Sequence, residues 1–444
     1  MMKRTLFTSD HIDLLLSLLQ LNTVTPMETG RPADIADAQD NYARFATERL
    51  DCEVVFHAPP IPDNLEGAVV PLSVHERADR MGSDFWACQP NLVLRLGPER
   101  PSDDTVMFNF HMDTVDGTFP VSYDGETFVG RGAADMKGPG VALLAGIEGA
   151  LRNDPSWLDE FSVLIQCVSG EEGGAMGVYG TKLLAEQGWL GRLNIFAEPS
   201  GSIYFDRSTT SMTARIEVNG QDATDDAPHQ GHNATLLLGY LAERLLAELS
   251  GPIEKDGGKM CLAGIHTGYM HNKVYGSGTL LLNFAYGSTD SGRTIRSLMD
   301  EAFIRLIGKF SDEFREAAAA RFTAEAAAEI CSLTWVKEGL PVLGNRDPEW
   351  EAFLEHIGWV RNPDDHVEQA FTCDAMWAQR PGSYTIVYGP GSLGGNLAHA
   401  EGEFIRLQEL ERYAGDIMTL LTGYGAHRRN QKGKEAGIRD ESVV

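Results

Sequence analysis

The chain has 444 residues, 43% of them hydrophobic and 23% charged. That is the balance of a globular protein of two or three domains, and it excludes wholesale disorder, collagen and coiled-coil rods. With 37 basic against 64 acidic residues the net charge is −27, a surface that repels DNA, RNA and anionic lipid and so argues against a nucleic-acid role.

In chain order, the first segment, MMKRTLFTSDHIDLLLSLLQ, does not read as a signal peptide. Asp10, His11 and Asp13 interrupt any apolar core, and the stretch predicts an amphipathic helix capped near Ser9 or Asp10. Pro59–Gln89 carries few periodic signals and reads as an irregular excursion. Strands are predicted at Asn91–Leu96, Thr105–Phe110, Phe161–Val168 and Leu193–Ala197, with a helix at Gly138–Leu151 after the turn GRGAADMKG. This alternation predicts βα units around a mainly parallel sheet.

The pattern changes near Ser208. Thr209–Asn219 alternates like a half-exposed antiparallel strand. A helix at His232–Ser250, strands at Met260–His266 and Thr279–Ala285, a helix at Thr294–Lys309 and an Ala-rich helical stretch at Asp312–Glu329 follow. The first pattern then returns with a helix at Pro348–Ile357, a strand at Ser383–Tyr388 and a helix at Glu403–Thr422. The charged tail from His427 has little to bury and is expected to be mobile. The fold class is therefore α/β, helices flanking a mainly parallel sheet, with residues 1–207 and 339–444 in one domain and a small inserted α+β domain at 208–338. No run of about 18 apolar residues occurs, so no membrane span is expected. The six cysteines show no CxxC pair, which suits reduced thiols in the cytoplasm.

In an open α/β sheet, ligands bind beyond the carboxyl ends of the strands. The residues there are chemically distinctive. His111 and Asp113 follow one strand, Glu171 and Glu172 the next, Glu198 the next, and His399 lies a few residues past the last. Asp135 sits in the turn that opens the Gly138–Leu151 helix. Histidines and carboxylates on one edge suit zinc, and one carboxylate can bridge two ions about 3.5–4 Å apart. Asp113 is the nearest candidate to receive the second ring N–H of His111. Of the adjacent pair Glu171 and Glu172, one can face a metal while the other faces its water as general base. GRGAADMKG and GPGSLGGN could each cradle a phosphate, but the first lacks GxGxxG spacing and the P-loop Lys-Ser/Thr.

HMDTVDG, GRGAADMKGPGVA, SGEEGGAMG, FAEPS and YGPGS…AHAEGEF resemble the zinc-dependent amidohydrolases and exopeptidases, the family of acetylornithine deacetylase, succinyl-diaminopimelate desuccinylase, aminoacylase and glutamate carboxypeptidase. The resemblance spans nearly the whole chain. It implies a catalytic domain with an inserted lid and dimerisation domain, and two zinc ions, for which cobalt or manganese can substitute. His111 and Glu198 would hold one ion, Glu172 and His399 the other, and Asp135 would bridge them across a cis Asp135–Met136 bond. Glu171 would be the general acid/base and Asp113 would orient His111. The implied reaction is cleavage of a small amide (an N-acyl amino acid, a dipeptide or a relative) by a metal-bridging hydroxide.

Three departures from the family bear on substrate. The lid segment GQDATDDAPHQGHNA has Thr224 where the family has a histidine, leaving His229 and His232 as candidate donors. Asn283–Tyr286 lacks the family's substrate-gripping Arg, while Arg293 stands nearby and Asn272 is retained. Met376 stands where a basic residue is common. Arg380 is a candidate anion binder, and Gly391 and Asn396 of GPGSLGGN are candidate substrate contacts. These losses predict that simple N-acetyl amino acids are poor substrates, and that the amide is bulkier or less anionic.

In the His232–Ser250 helix, Ala234, Leu238, Leu241, Leu245 and Leu249 form one stripe. Leu236, Leu237 and Tyr240 lie on another side, which one sheet cannot cover. A homodimer through the inserted domain is therefore expected.

Overall fold

A computed structural model describes residues 5–65, 69–363, 370 and 372–441. The chain forms two compact units. One comprises Thr209–Val342 with a short piece ending at Ser73, and the other the remaining chain up to Ser208 and from Leu343.

The larger unit is built on a six-stranded sheet in the order Glu53–Ala58, Asn91–Leu96, Ser162–Val168, Thr105–His111, Leu193–Phe196, Tyr384–Val387. The last four strands run parallel, and the first two pair antiparallel at one edge. Every residue of Thr105–His111 and Ser162–Val168 is buried. Strands buried on both faces read as near-continuous apolar runs, here broken by Asn109 and Gln166, which bond each other at 2.7 Å. On one face lies the Lys137–Asn153 helix, buried from Lys137 to Ala150. It packs on the last helix, Leu407–Glu441. Gly146 allows this closeness, since a Cβ there would stand 2.7 Å from the Ala414 carbonyl oxygen. The Ser9–Gln20 helix buries Leu14, Leu15, Leu18 and Leu19. Its C-terminal carbonyls are capped by the buried Lys137, whose Nζ donates to Leu18 O at 2.9 Å and Leu21 O at 3.2 Å.

The smaller unit has an antiparallel sheet in the order Lys259–His266, Ser277–Tyr286, Thr210–Asn219, Cys331–Lys337. Thr210–Asn219 alternates buried and half-buried residues, with Met212, Ala214, Ile216 and Val218 facing inward. The helices Ala234–Lys255 and Thr289–Phe314 bury their apolar stripes in the same core.

Several expectations need correction. Within Pro59–Gln89, the helices Leu72–Met81 and Ser83–Ala87 form, their short amphipathic periods masked by charge; residues 66–68 of this stretch lie outside the described ones. The Ala-rich stretch is not one helix. The Thr289–Phe314 helix ends, a second runs Arg321–Ile330, and a strand, Cys331–Lys337, follows unforeseen. The segment from His427 continues the last helix to Glu441. The second face of the Ala234–Lys255 helix is largely met within its own unit. Leu237 is buried, and Tyr240 meets Phe310 edge-on at 5.3 Å and Phe314 at 5.9 Å. Among the described residues no helix is long and apolar enough to cross a membrane, and the six cysteines are all free.

Candidate metal centre

Three neighbouring strands of the sheet end at one place, and the turns beyond them carry the ionisable residues. His111 closes the Thr105–His111 strand. Glu171 and Glu172 follow Ser162–Val168 through Gly170, whose φ of 76° and contact with the Tyr179 ring exclude a side chain. Glu198 follows Leu193–Phe196. Asp135 lies in the turn before the Lys137–Asn153 helix, and its bond to Met136 is cis. His399 lies on the loop after Tyr384–Val387 and takes a left-handed φ of 65°, uncommon without glycine.

These side chains converge. Asp135 presents one oxygen to each histidine: Oδ1 is 3.1 Å from His111 Nε2, and Oδ2 is 3.0 Å from His399 Nε2. His399 Nε2 also lies 3.1 Å from Glu172 Oε1, and His111 Nε2 lies 3.9 Å from Glu198 Oε1. Ligand atoms of His111, Asp135 and Glu172 fall within 4.8 Å of one another. All but His399 and the half-exposed Glu171 are buried.

The electrostatics are those of a site with too much negative charge. Burial pushes Glu171 well above the usual carboxylate range, and Glu172 and Glu198 repel its charge further. Glu198 is raised by burial and by Asp135. Glu172 is raised by burial, against the hydrogen bond from His399. Burial acts to raise Asp135 too, but the His111 and His399 hydrogen bonds outweigh it and hold that carboxyl low. His399 is pushed up to about 11 by its bonds to Asp135 and Glu172. Four clustered carboxylates and two imidazoles of nitrogen and oxygen donors fit divalent cations, which would neutralise the excess. A central carboxylate offering one oxygen to each side fits a bridge between two ions.

Asp113 departs from expectation. Its main-chain oxygen, 2.7 Å from His111 Nδ1, holds that ring, while its carboxylate stands 3.9 Å away. The carboxylate instead accepts the amides of Glu172 at 3.1 Å and Glu171 at 3.5 Å.

The remaining expected residues have other partners or are exposed. Arg380 donates to the carbonyls of Trp377 and Gln379. Asn396 is buried and its amide is fully engaged: it accepts from Ser392 N and donates to Phe404 O and Glu409. Gly391 packs on Asn396 with φ 68°. In the smaller unit, His229 lies in a 3-10 turn and Asn272 is exposed. His232 accepts the Gln221 amide at 2.7 Å and stacks on Phe322. Arg293 pairs with Asp290 at 2.9 Å on an exposed helix face.

Two buried acids escaped the sequence reading. Glu403 accepts main-chain amides of the Asp135 turn. Asp374, raised to about 6 chiefly by burial, bonds Thr181, which in turn accepts from Asn109 Nδ2 at 3.0 Å. Glu403 lies in the motif AHAEGEF and Asp374 two residues before Met376, but neither follows a strand closely enough to draw notice.

Comparison with known proteins agrees with this picture. A model of "Peptidase family M20/M25/M40" matches residues 107–421. Succinyl-diaminopimelate desuccinylase of Xanthomonas campestris pv. campestris (strain 8004) is 26% identical over 434 residues, covering 93% of this chain and 98% of that one. An M20 family metallo-carboxypeptidase from Sulfolobus solfataricus superposes with a TM-score of 0.63 at 10% identity, over 94% of this chain and 100% of that one. A dinuclear metal binding peptidase of the M20 family from Bacillus subtilis gives 0.58 at 10%, over 94% and 97%. The chain, whose strand ends gather His111, Asp135, Glu172, Glu198 and His399, therefore belongs to the M20/M25/M40 peptidase family and is a hydrolase.

Proposed function

We propose that the protein is a di-metal hydrolase of amide bonds in small N-acyl amino acids, dipeptides or related amides. The observation that carries this reading is the two-sided presentation of Asp135 to His111 and His399. In it, His111 and Glu198 would hold one ion, Glu172 and His399 the other, and Asp135 would serve both. Zinc suits this donor set, with cobalt or manganese as substitutes. When bound, the metals supply a nucleophilic water at neutral pH and polarise the amide carbonyl.

The chain's own residues do the rest. Glu171 is on the same turn as the ligand Glu172 but outside the histidine contacts. Its raised proton affinity suits a group that takes the proton of the attacking water and returns it to the leaving nitrogen. Each cycle breaks one C–N bond, forms one C–O bond and leaves Glu171 as it began.

The relatedness to a succinyl-diaminopimelate desuccinylase makes N-succinylated diamino acids the first candidates. Thr224 in place of a histidine, and the pairing of Arg293 with Asp290, support something other than a simple N-acetyl amino acid: either a bulkier amide, as an N-succinyl compound is, or, as the second candidate, a less anionic one. Hydrolysis of a panel by metal-loaded protein tests this. It would hold N-succinyl, N-formyl and N-acetyl amino acids, dipeptides and uncharged amides. Turnover of N-acetylmethionine at roughly 10⁵ M⁻¹s⁻¹ or more would refute the substrate reading, and no turnover of any amide would refute the reaction.

We also propose a cytoplasmic homodimer through the smaller unit. The Lys259–His266 strand is at the sheet edge, beside exposed Ile265, Tyr269 and Met270, and an open edge with apolar neighbours favours pairing. Light scattering of the parent and of Ile265→Glu/Tyr269→Glu tests it, and a monomeric parent would refute it.

A further inference from the structure

The carboxylate of Glu403 is 1% exposed and sits beneath the turn that carries Asp135. Its Oε1 accepts the amides of Ala134 at 2.9 Å and Asp135 at 3.0 Å. Its Oε2 accepts the amide of Gly132 at 3.1 Å and Arg131 Nη1 at 2.8 Å. The main chain adds to the grip, because Gly130 N donates to Glu403 O at 3.0 Å. Phe404, the next residue, pairs with Val129. The turn is shaped around this carboxylate: Gly132 has a φ of 86°, and a Cβ there would press on Lys137 and Thr114 at 3.0 Å.

Glu403 stands four residues after His399 in the sequence. The same short stretch therefore carries one histidine of the centre and fixes the main chain of the central carboxylate. Resting on the dinuclear reading above, we infer that Glu403 is a positioning residue that sets the two metal positions relative to each other by holding the Asp135 turn against the His399 loop. It touches neither ion nor substrate. A buried carboxylate with four donors is fully satisfied, and no neutral side chain of its size offers as many acceptor sites. In Glu403→Gln, the amide NH₂ must face either the Ala134 and Asp135 amides or the Gly132 amide and Arg131, so donors confront donors.

The test is titration of metal-free full-length protein with Co²⁺, and with Mn²⁺ read by electron paramagnetic resonance. Partners behind metal ligands typically cost about 10–100-fold in metal affinity when removed. Glu403→Gln is expected to bind its second Co²⁺ more weakly by that factor and to lose the spin coupling of the two Mn²⁺ ions. Glu403→Asp keeps the charge but cannot reach all four donors, so it is expected to show the same change, several-fold in size. It serves as the test if Glu403→Gln does not fold. A lowered melting temperature of the metal-free variants, with parent-like titrations and spectra, would overturn the inference and leave Glu403 a stabilising residue only. Asp135→Ala separates this from the underlying reading: if it still binds two ions as the parent does, the dinuclear assignment itself fails.

Discussion

The ring of His111 is held by the main chain of Asp113, not by its side chain: Nδ1 lies 2.7 Å from the carbonyl oxygen and 3.9 Å from the carboxylate. A carbonyl only accepts, so Nδ1 carries the proton and Nε2, which faces Asp135, is left to bind a metal. The Asp113 carboxylate is thereby released to hold the Glu171–Glu172 turn by its amides. In Asp113→Asn the carbonyl stays, while one amide of the turn meets an NH₂ group. The expected outcome is two equivalents of metal still bound and kcat lower by about 10–100-fold. Loss of the metal would show that the carboxylate holds the ligand after all.

Glu171→Gln is expected to fold and to bind metal as the parent does, because Glu171 makes none of the histidine contacts of the cluster. A general base contributes about 10²–10⁴-fold, so turnover should fall by that much. Steady-state kinetics beside elemental analysis decide it. Turnover within a few-fold of the parent would remove Glu171 from proton transfer.

Metal should stabilise the fold. Glu171 and the buried Glu172 and Glu198 repel one another without cations, so chelation should lower the melting temperature. At free metal about 100-fold above Kd, binding adds roughly 2.7 kcal/mol per site. Calorimetry should show saturation at about two equivalents. Saturation at one equivalent, with His399→Ala unchanged, would contradict the assignment.

His11, which makes none of the contacts of the metal centre, should give the protein an acid-labile element. It is fully buried between Phe7 and Phe45, and its Nδ1 accepts the Thr8 amide at 3.2 Å, which requires the neutral ring. Burial, with Arg49 and Arg152, lowers it from 6.5 to about 4, although Glu148 stands 3.4 Å from Nε2. The folded state thus binds fewer protons than the unfolded chain between about pH 4 and 6.5. Stability from this residue is complete above pH 6.5 and declines as pH falls toward 4, by roughly 3 kcal/mol. Denaturant unfolding between pH 4 and 7 should show this slope in the parent and its loss in His11→Phe. Equal slopes would refute it.

Much of this was legible in the chain itself. Thr105–His111 and Ser162–Val168 are wholly buried and nearly all apolar in their interiors, broken only by Asn109 and Gln166, whereas Thr210–Asn219 alternates because one face is less covered. Such periodicity is local, so the sequence carries it. The residues at the strand ends were equally visible, since topology fixes that a parallel sheet gathers its carboxyl ends on one edge.

What only the tertiary structure decided were the contacts between residues distant in sequence. That the Asp113 carboxylate turns from His111 to the Glu172 amide depends on how two neighbouring strand ends are spaced. That Glu403 grips the Asp135 turn depends on a pairing of Phe404 with Val129 across most of the chain. That the second face of the Ala234–Lys255 helix is met within its own unit depends on Phe310 and Phe314, which lie against Tyr240 from the Thr289–Phe314 helix further along the chain. A sequence states which groups are present and their local period. Which acceptor a buried donor meets is settled by packing, because a hydrogen bond falls away within a fraction of an ångström and no pattern along the chain encodes that distance.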